Sequence, residues 1–393
     1  MTSRDTPTTP PQAVVAGHIC LDIIPAMAEV PDLRPGCLVE TGAATLSPGG
    51  PVGNVGLALH RLGGPVRLMG KIGDDPFGRT LLDVLRALDV SLADGMMTAA
   101  GETTSYSVVF NPPGVDRTFL HCPGANHTFG AADIPLPRLA PARVFHFGYP
   151  PLMRRLYCDG GAELRALFEA VRHRGLVTSL DVCLPDPHGE AGRADWAALL
   201  ARTLPAVDLF APSFDELCFM LLGPGSRPRL ALHQLRSLAD LVLPLGPIIV
   251  AIKLGELGLY IRTGGDGDRL DRFCELLGLE GATWRDREVL APCFRPARVA
   301  GTTGAGDCTI AGLLAALLRR EDPVAVATAA SAVGACSVEA PDATGGIPRW
   351  TDVAARLAGG WPRLPSSPDL AAGGAWQRDG HGTLFDPTFP ETR

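Results

Sequence analysis

The run Gly301-Thr302-Thr303-Gly304-Ala305-Gly306-Asp307 leads directly into the apolar stretch Cys308 to Leu318. A loop without bulky side chains lets an anion reach backbone N–H groups at the positive end of a helix dipole. An Asp at the same point can take a proton from a hydroxyl lying beside that anion. A base for the nucleophile and a cradle for the developing charge are the two halves of phosphoryl transfer to an alcohol. Two other phosphate loops do not fit. The P-loop Lys is missing, with Asp307 in its place, and Gly304-Ala305-Gly306 lacks the third Gly of a dinucleotide fingerprint and lies late in the chain. Taken alone, the run is equally compatible with a plain helix start.

Residues that chemistry brings together must be positioned by elements, and the chain supplies alternating ones. Ala13 to Asp22 reads as one near-continuous apolar strand, suited to burial on both faces of a parallel sheet. Asn54 to Leu62 reads as a helix stopped by Gly63-Gly64, and Asp74-Asp75-Pro76 opens another, with Pro at its first position after an Asp cap. Further strands are expected at Val66 to Ile72, Val144 to Phe147, Val177 to Val182, Val207 to Phe210, Ile248 to Ile252 and Leu257 to Ile261. Helices are expected between and after them, the last two over Gly306 to Arg319 and Pro323 to Cys336. Such alternation implies right-handed crossovers and an α/β fold, a mostly parallel sheet with helices on both faces. Thr103 to His121 reads instead as a β-hairpin, assigned to a small separate sheet. Met1 to Gln12 is expected to be a disordered polar tail, residues 13–358 the domain, and 359–393 a Pro/Gly-rich tail; Gly264 to about Arg287 reads as a surface insertion.

Composition narrows the functions. With 46 Gly and 36 Pro in 393 residues, long uninterrupted helices of a bundle or coiled coil are excluded. A net charge of −7 without any long basic block argues against nucleic-acid binding. The ten cysteines never fall in a CxxC spacing and are read as reduced, mostly buried thiols. No apolar stretch is long enough to span a bilayer and the first residues carry no signal-peptide core, so the expected location is the cytoplasm and no membrane partner is expected.

Gly49-Gly50-Pro51-Val52-Gly53-Asn54 and Gly73-Asp74-Asp75-Pro76-Phe77-Gly78 join the late glycine run to make an ordered set. This set resembles the ribokinase-like carbohydrate kinases, the PfkB family. A double Gly followed by Asn, then a GxDxxG turn, is matched by Gly49, Gly50, Asn54, Gly73, Asp75 and Gly78. A DTxGAGD-like run entering a helix is matched by Thr302, Gly304, Ala305, Gly306 and Asp307, and the similarity extends over about Val14 to Arg356.

The resemblance implies a ribokinase-like three-layer α/β/α domain with a small β-sheet lid. It also implies an ATP-dependent kinase acting on a primary hydroxyl of a sugar or sugar-like compound. Asp307 would be the catalytic base, and Gly304, Ala305 and Gly306 the anion hole. Asp22, Gly49, Gly50 and Asn54 would hold the acceptor, since a carboxylate takes hydrogen bonds from vicinal hydroxyls. The Thr103–His121 hairpin would be the lid, excluding water as it closes. Lys253, Gly255, Gly258, Thr302 and Ser331 would lie on the nucleotide side; tight strand connection and ordinary helix packing explain Gly255, Gly258 and Ser331 as well.

Two positions depart from the family pattern. Ser213-Phe214-Asp215-Glu216 stands for its NxxE motif: Glu216 is kept for an indirect role toward Mg²⁺, but Ser213 replaces the Asn. Gly301 replaces the Asp of DTxGAGD in a region that supports a monovalent cation in relatives, which weakens the case for K⁺. Two other readings remain: a nucleoside kinase of the same superfamily, with Tyr106, Phe110 and Phe119 stacking a base, and a catalytically weak sugar- or nucleotide-binding protein. A homodimer through the lid sheet is a further possibility implied by the family.

Overall fold

The apolar run from Ala13 does not form one strand. Gly17, at φ +118°, turns the chain where a Cβ would lie 2.5 Å from the carbonyl oxygen of Gly148, so only glycine fits. The halves on either side of this turn enter different sheets. The computed structural model describes residues 12–388 apart from 33, 113–116, 266 and 372–374. Residues 1–11 of the expected N-terminal tail 1–12, the tip of the hairpin and parts of the C-terminal segment therefore lie outside the described residues.

In chain order the first strands are β1 (Ala13–Gly17), β2 (Cys20–Pro25), β3 (Ala44–Gly49), β4 (Val66–Met69), β5 (Lys71–Gly73), β6 (Met97–Ala99), β7 (Tyr106–Phe110) and β8 (Thr118–Cys122). They are followed by β9 (Val144–Gly148), β10 (Val177–Asp181), β11 (Leu209–Phe210), β12 (Ile249–Lys253), β13 (Leu259–Thr263), β14 (Glu288–Ala291), β15 (Gln377–Arg378) and β16 (Leu384–Phe385). The main sheet has ten strands in the order β15-β16-β14-β13-β12-β11-β10-β9-β1-β4, and β3-β2-β7-β8 form the small one. Strands from β4 across to β12 pair in parallel, and those from β12 to β15 in antiparallel fashion.

Alternation along the buried strands feeds two cores. Ala13 and Val15 face a layer under helices that include Gly50–Arg61, Ala305–Leu318 and Pro323–Ser337. Val14 and Ala16 face the other layer, under Ala162–His173, Phe214–Leu222 and Leu232–Val242. The architecture is thus the expected α/β/α with a small sheet beside it. All ten cysteines are free thiols, of which Cys37 and Cys158 are exposed. Among the described residues no helix is long and apolar enough to cross a membrane.

Two expectations are corrected. The charged stretch after Gly264 is not a surface insertion: Gly267–Leu277 is a helix that buries Leu270, Phe273, Cys274 and Leu277 against the sheet. Its apolar residues recur at helical spacing, which the flanking charges and glycines masked. The C-terminal stretch is likewise no detached tail. β16 pairs with β14, Leu384 is buried, and Trp361 stacks on Phe294 at 4.8 Å between ring centroids.

Candidate active site

The site lies where β1, β9, β10 and β12 end at their carboxyl edge, the usual ligand edge of a parallel sheet. The helix Ala305–Leu318 starts there, with Gly304 as its N-cap in left-handed geometry (φ 72°, ψ 3°). A Cβ on Gly304 would sit 2.4 Å from that of Ala343, so the loop can pass only as glycine. The Ala305 N–H turns into the loop, donating to the Thr302 carbonyl at 3.3 Å. The next two first-turn N–H groups, of Gly306 and Asp307, precede the first i→i−4 bond, from Cys308 to Gly304 at 2.8 Å.

Asp307 is buried on that first turn, and its Oδ2 accepts from Asn54 Nδ2 at 2.7 Å. Residues far apart in sequence thereby meet as expected. Tyr149 donates its hydroxyl to both Asp307 oxygens, at 3.0 and 3.1 Å. Burial pushes the Asp307 carboxyl above the ordinary range, while Lys253 and the bonds from Asn54 and Tyr149 pull it back.

The lid supplies the opposite wall. Asp22, on β2, pairs with Ser47 of β3 and Ser107 of β7, and accepts from the Cys20 thiol at 3.3 Å. Burial lifts its carboxyl to about 6 despite the bonds from Cys20 and Ser107. A Cβ on Gly49 would lie 2.2 Å from Asp22 Oδ2, so that glycine makes room for the carboxylate. Gly50 (φ +73°) passes equally close to His18, 2.4 Å from Nδ1. His18 and His121, with rings 5.2 Å apart, complete this wall. His121 shares a 3.0 Å hydrogen bond with Ser107 and is pushed down to about 4, by burial and then by His127. Both His18 nitrogens, His121 Nε2 and Asn54 Oδ1 are buried without a protein partner. Four buried polar atoms here are thus left without a protein partner, as ligand-contacting groups are.

On the far side of Asp307, Lys253 Nζ pairs with Asp181 at 2.7 Å and lies 4.0 Å from Glu216. Burial works against the ammonium charge, but Asp181 and Glu216 outweigh it and raise the Lys253 pKa. A Cβ on Gly306 would lie 3.8 Å from the same Nζ, so the lysine flanks the helix N-terminus. Glu216 is held by a capping box: Ser213 N–H donates to its Oε2 at 2.6 Å, and Glu216 N–H to Ser213 Oγ at 3.2 Å. Ser213 thus acts as a helix cap. Asp181 Oδ2 is buried without a partner. Among the described residues no group of three or more His, Cys, Asp or Glu is placed to hold a metal ion unaided.

Other expected residues occupy different positions. Thr302 Oγ1 accepts from Arg117 Nη1 at 2.7 Å, tying the lid to the glycine loop. Gly255 (φ +60°) has open space where a Cβ would point, whereas a Cβ on Gly258 (φ +109°) would meet Ala291 O at 2.0 Å. Strand packing alone therefore requires a glycine at 258. Ser331 donates to Pro292 O at 2.9 Å, which satisfies its hydroxyl within the protein. Asp75 caps the helix Pro76–Leu88 and binds Thr104 through its other oxygen at 2.8 Å, so the GxDxxG turn anchors the lid's root. Gly301 faces Pro341 O, 2.9 Å from its would-be Cβ, leaving no room for the family's Asp without displacement.

His18, Tyr149, His121 and Asp181 escaped the sequence reading because they belong to no motif it used. The available signal was position: His18 and Tyr149 each follow a glycine at the end of an apolar strand.

Comparison with known proteins places these features in a lineage. The model of the pfkB family carbohydrate kinases matches residues 11–350. Fructokinase-1 of Oryza sativa subsp. japonica is 28% identical over 323 residues, 78% of this chain and 82% of that protein. Fructokinase-2 of the same plant is 29% identical over 219 residues, 55% of this chain and 62% of that protein. The Arabidopsis thaliana ribokinase solved with ribose and ATP superposes with a TM-score of 0.67 at 19% identity, covering 88% of this chain and 98% of that one. A Burkholderia thailandensis nucleoside kinase solved with inosine gives 0.63 at 20% identity, over 88% and 97%. The match to the family model spans both glycine motifs, the lid and the Asp307 helix, and the chain belongs to the pfkB family of carbohydrate kinases.

Proposed function

We propose that the protein transfers the γ-phosphoryl group of ATP to a primary hydroxyl of an uncharged sugar. The observation that carries this reading is Asp307, buried at a helix N-terminus and facing an acceptor wall of Asp22, His18 and His121. Asp22 accepts hydrogen bonds from acceptor hydroxyls, and the imidazoles serve as further partners. Burial holds both histidines below their ordinary range, so they are neutral at pH 7. A wall of neutral imidazoles and one carboxylate suits a polyol and disfavours an anionic sugar.

Asp307 takes the proton of the acceptor hydroxyl. The oxygen's electron pair forms the new bond to the γ-phosphorus, and the bond to the β-phosphate oxygen breaks, releasing ADP. Gly306 and Asp307 N–H groups, with Lys253 beside them, stabilise the charge that develops on the transferred group. The orphaned Asp181 Oδ2 and the nearby Glu216 fit Mg²⁺ held through water and substrate phosphates; when bound, the ion would neutralise phosphate charge.

Two of the three aromatics of the nucleoside reading, Tyr106 and Phe119, already have partners within the protein. Tyr106 packs edge-on against Phe77 at 5.1 Å, and Phe119 lies beneath the Arg117 guanidinium at 5.6 Å. The test is ADP release over a panel of pentoses, hexoses, keto-acids, phosphosugars and nucleosides, with Asp307→Asn in parallel. Neutral sugars are expected to turn over, and the variant to lose about a thousandfold in kcat while still binding sugar. A nucleoside-only response, or sugar binding without ADP from the unaltered protein, overturns the proposal. Near-normal turnover by the variant removes Asp307 from the base role.

A further inference from the structure

Tyr149 stands at the end of β9 in left-handed geometry, φ 64° and ψ 45°. Among the described residues only Asp286 and Arg320 share a positive φ without being glycine. Such a conformation in a bulky residue is held by its surroundings, and it concentrates at functional positions. Here the backbone is fixed by Tyr149 N–H donating to Asp181 O at 3.2 Å. The half-buried phenol then reaches Asp307 from the strand side, while Asn54 reaches it from the acceptor side. A tyrosine hydroxyl turned away from solvent takes an acceptor within the protein. The one it has is the carboxylate itself.

Each carboxylate oxygen accepts about two hydrogen bonds. The single hydroxyl proton of Tyr149 is shared between Oδ1 at 3.0 Å and Oδ2 at 3.1 Å, and Oδ2 also receives Asn54 at 2.7 Å, so among the described residues Oδ1 is the less occupied oxygen. We propose that Tyr149 is a positioning residue: its shared hydroxyl bond and the Asn54 bond to Oδ2 together fix the carboxylate so that Oδ1, the less occupied oxygen, takes the acceptor's proton. This rests on Asp307 being the base. The acceptor O–H bond breaks, its proton goes to Oδ1, and its electron pair goes to the phosphorus. After ADP and product leave, the proton passes to solvent.

A donor to the ionised carboxylate favours that form, so losing it moves the base's titration to higher pH. The other groups facing Asp307 stay constant in the comparison. Lys253 and, from the lid, Arg117 favour its ionised form. Asp22, Asp181 and Glu216 carry like charge and oppose it. The thiols of Cys20, Cys183 and Cys308 are driven far upward, chiefly by burial, and His18 is held low, so these groups remain neutral.

The experiment measures kcat and KM against pH, with D-fructose as acceptor, for the full chain, Tyr149→Phe, and a chain carrying 3-fluorotyrosine at position 149. Fluorotyrosine keeps nearly the same shape but donates more strongly, so it reports even if Tyr149→Phe does not fold. Tyr149→Phe is expected to lower kcat about tenfold at pH 7 and raise the acid limb of kcat by about one pH unit, with KM little changed. Fluorotyrosine is expected to lower that limb. An acid limb unmoved by the folded variants overturns the proposal and leaves Tyr149 a packing residue. Asp307→Asn run alongside separates the two claims, since its full activity would overturn the base assignment whatever Tyr149 does.

Discussion

The proposed acceptor side and the proposed nucleotide side of the site are built on different principles. Around Asp22 and Asp307 the walls are polar side chains, and four of their buried atoms have no protein partner. Around Gly255 and Ser331 the polar groups are already satisfied: Ser331 by Pro292 O, and the Cys293 thiol by Gly255 O at 3.4 Å. The first arrangement waits for a ligand's hydroxyls; the second offers chiefly backbone and shape. On the proposed reading, side chains choose the acceptor and main chain holds the nucleotide.

Single added methyl groups test this contrast most severely. Gly49→Ala drives a Cβ to 2.2 Å from the Asp22 carboxylate. Displacing that acceptor of charge-assisted bonds costs about 2–3 kcal/mol, so the sugar KM should rise about 30- to 140-fold with the ATP KM unchanged. Equal rises in both constants would erase the division between the two sides. Gly258→Ala meets Ala291 O at 2.0 Å in a left-handed conformation. It should lose about 2–3 kcal/mol of stability in urea unfolding, yet leave the sugar KM of the folded enzyme intact.

Proton concentration gives a smaller, graded effect. The Asp22 carboxyl, lifted to about 6, is ionised above that pH and protonated below it. Calorimetric sugar affinity without nucleotide should therefore weaken below pH 6, approaching tenfold per unit, and Asp22→Asn should abolish this dependence. The folding linkage has the opposite sense. A carboxyl whose folded pKa lies above its unfolded value of 3.8 loses stability as pH rises from about 4 to 6. Weaker binding in acid thus cannot be ascribed to Asp22-linked unfolding. The smallest effect belongs to Ser331→Ala, about 1 kcal/mol of stability with the ATP KM held within about twofold. A tenfold loss of ATP affinity there would show that the nucleotide side also recognises through side chains.

What the sequence disclosed follows the same division. Asp307 and Asn54 were legible because glycine motifs mark them, although 253 residues separate the pair. Lys253 was legible only as part of a turn; its contacts with Asp181 and Glu216 require the parallel register of β10, β11 and β12. Tyr149 and His18 were hidden because a buried strand and the turn after it share one apolar texture. The lid's β2 was read as a continuation of β1 for that reason, since neither half alternates strongly enough to reveal a change of sheet. β15 and β16, of two residues each, are too short for any periodicity to register.

Those two short strands bear on how the chain is made. β14 would form one edge of the sheet if the chain stopped at the helix Trp350–Ala358, and its four residues are all buried in the finished fold. During synthesis that edge is exposed until Phe385 has emerged to close it. An open, apolar strand edge recruits other chains. Truncation after Ala358 is thus expected to act first on yield, through aggregation of newly made protein, before any effect on turnover can be measured.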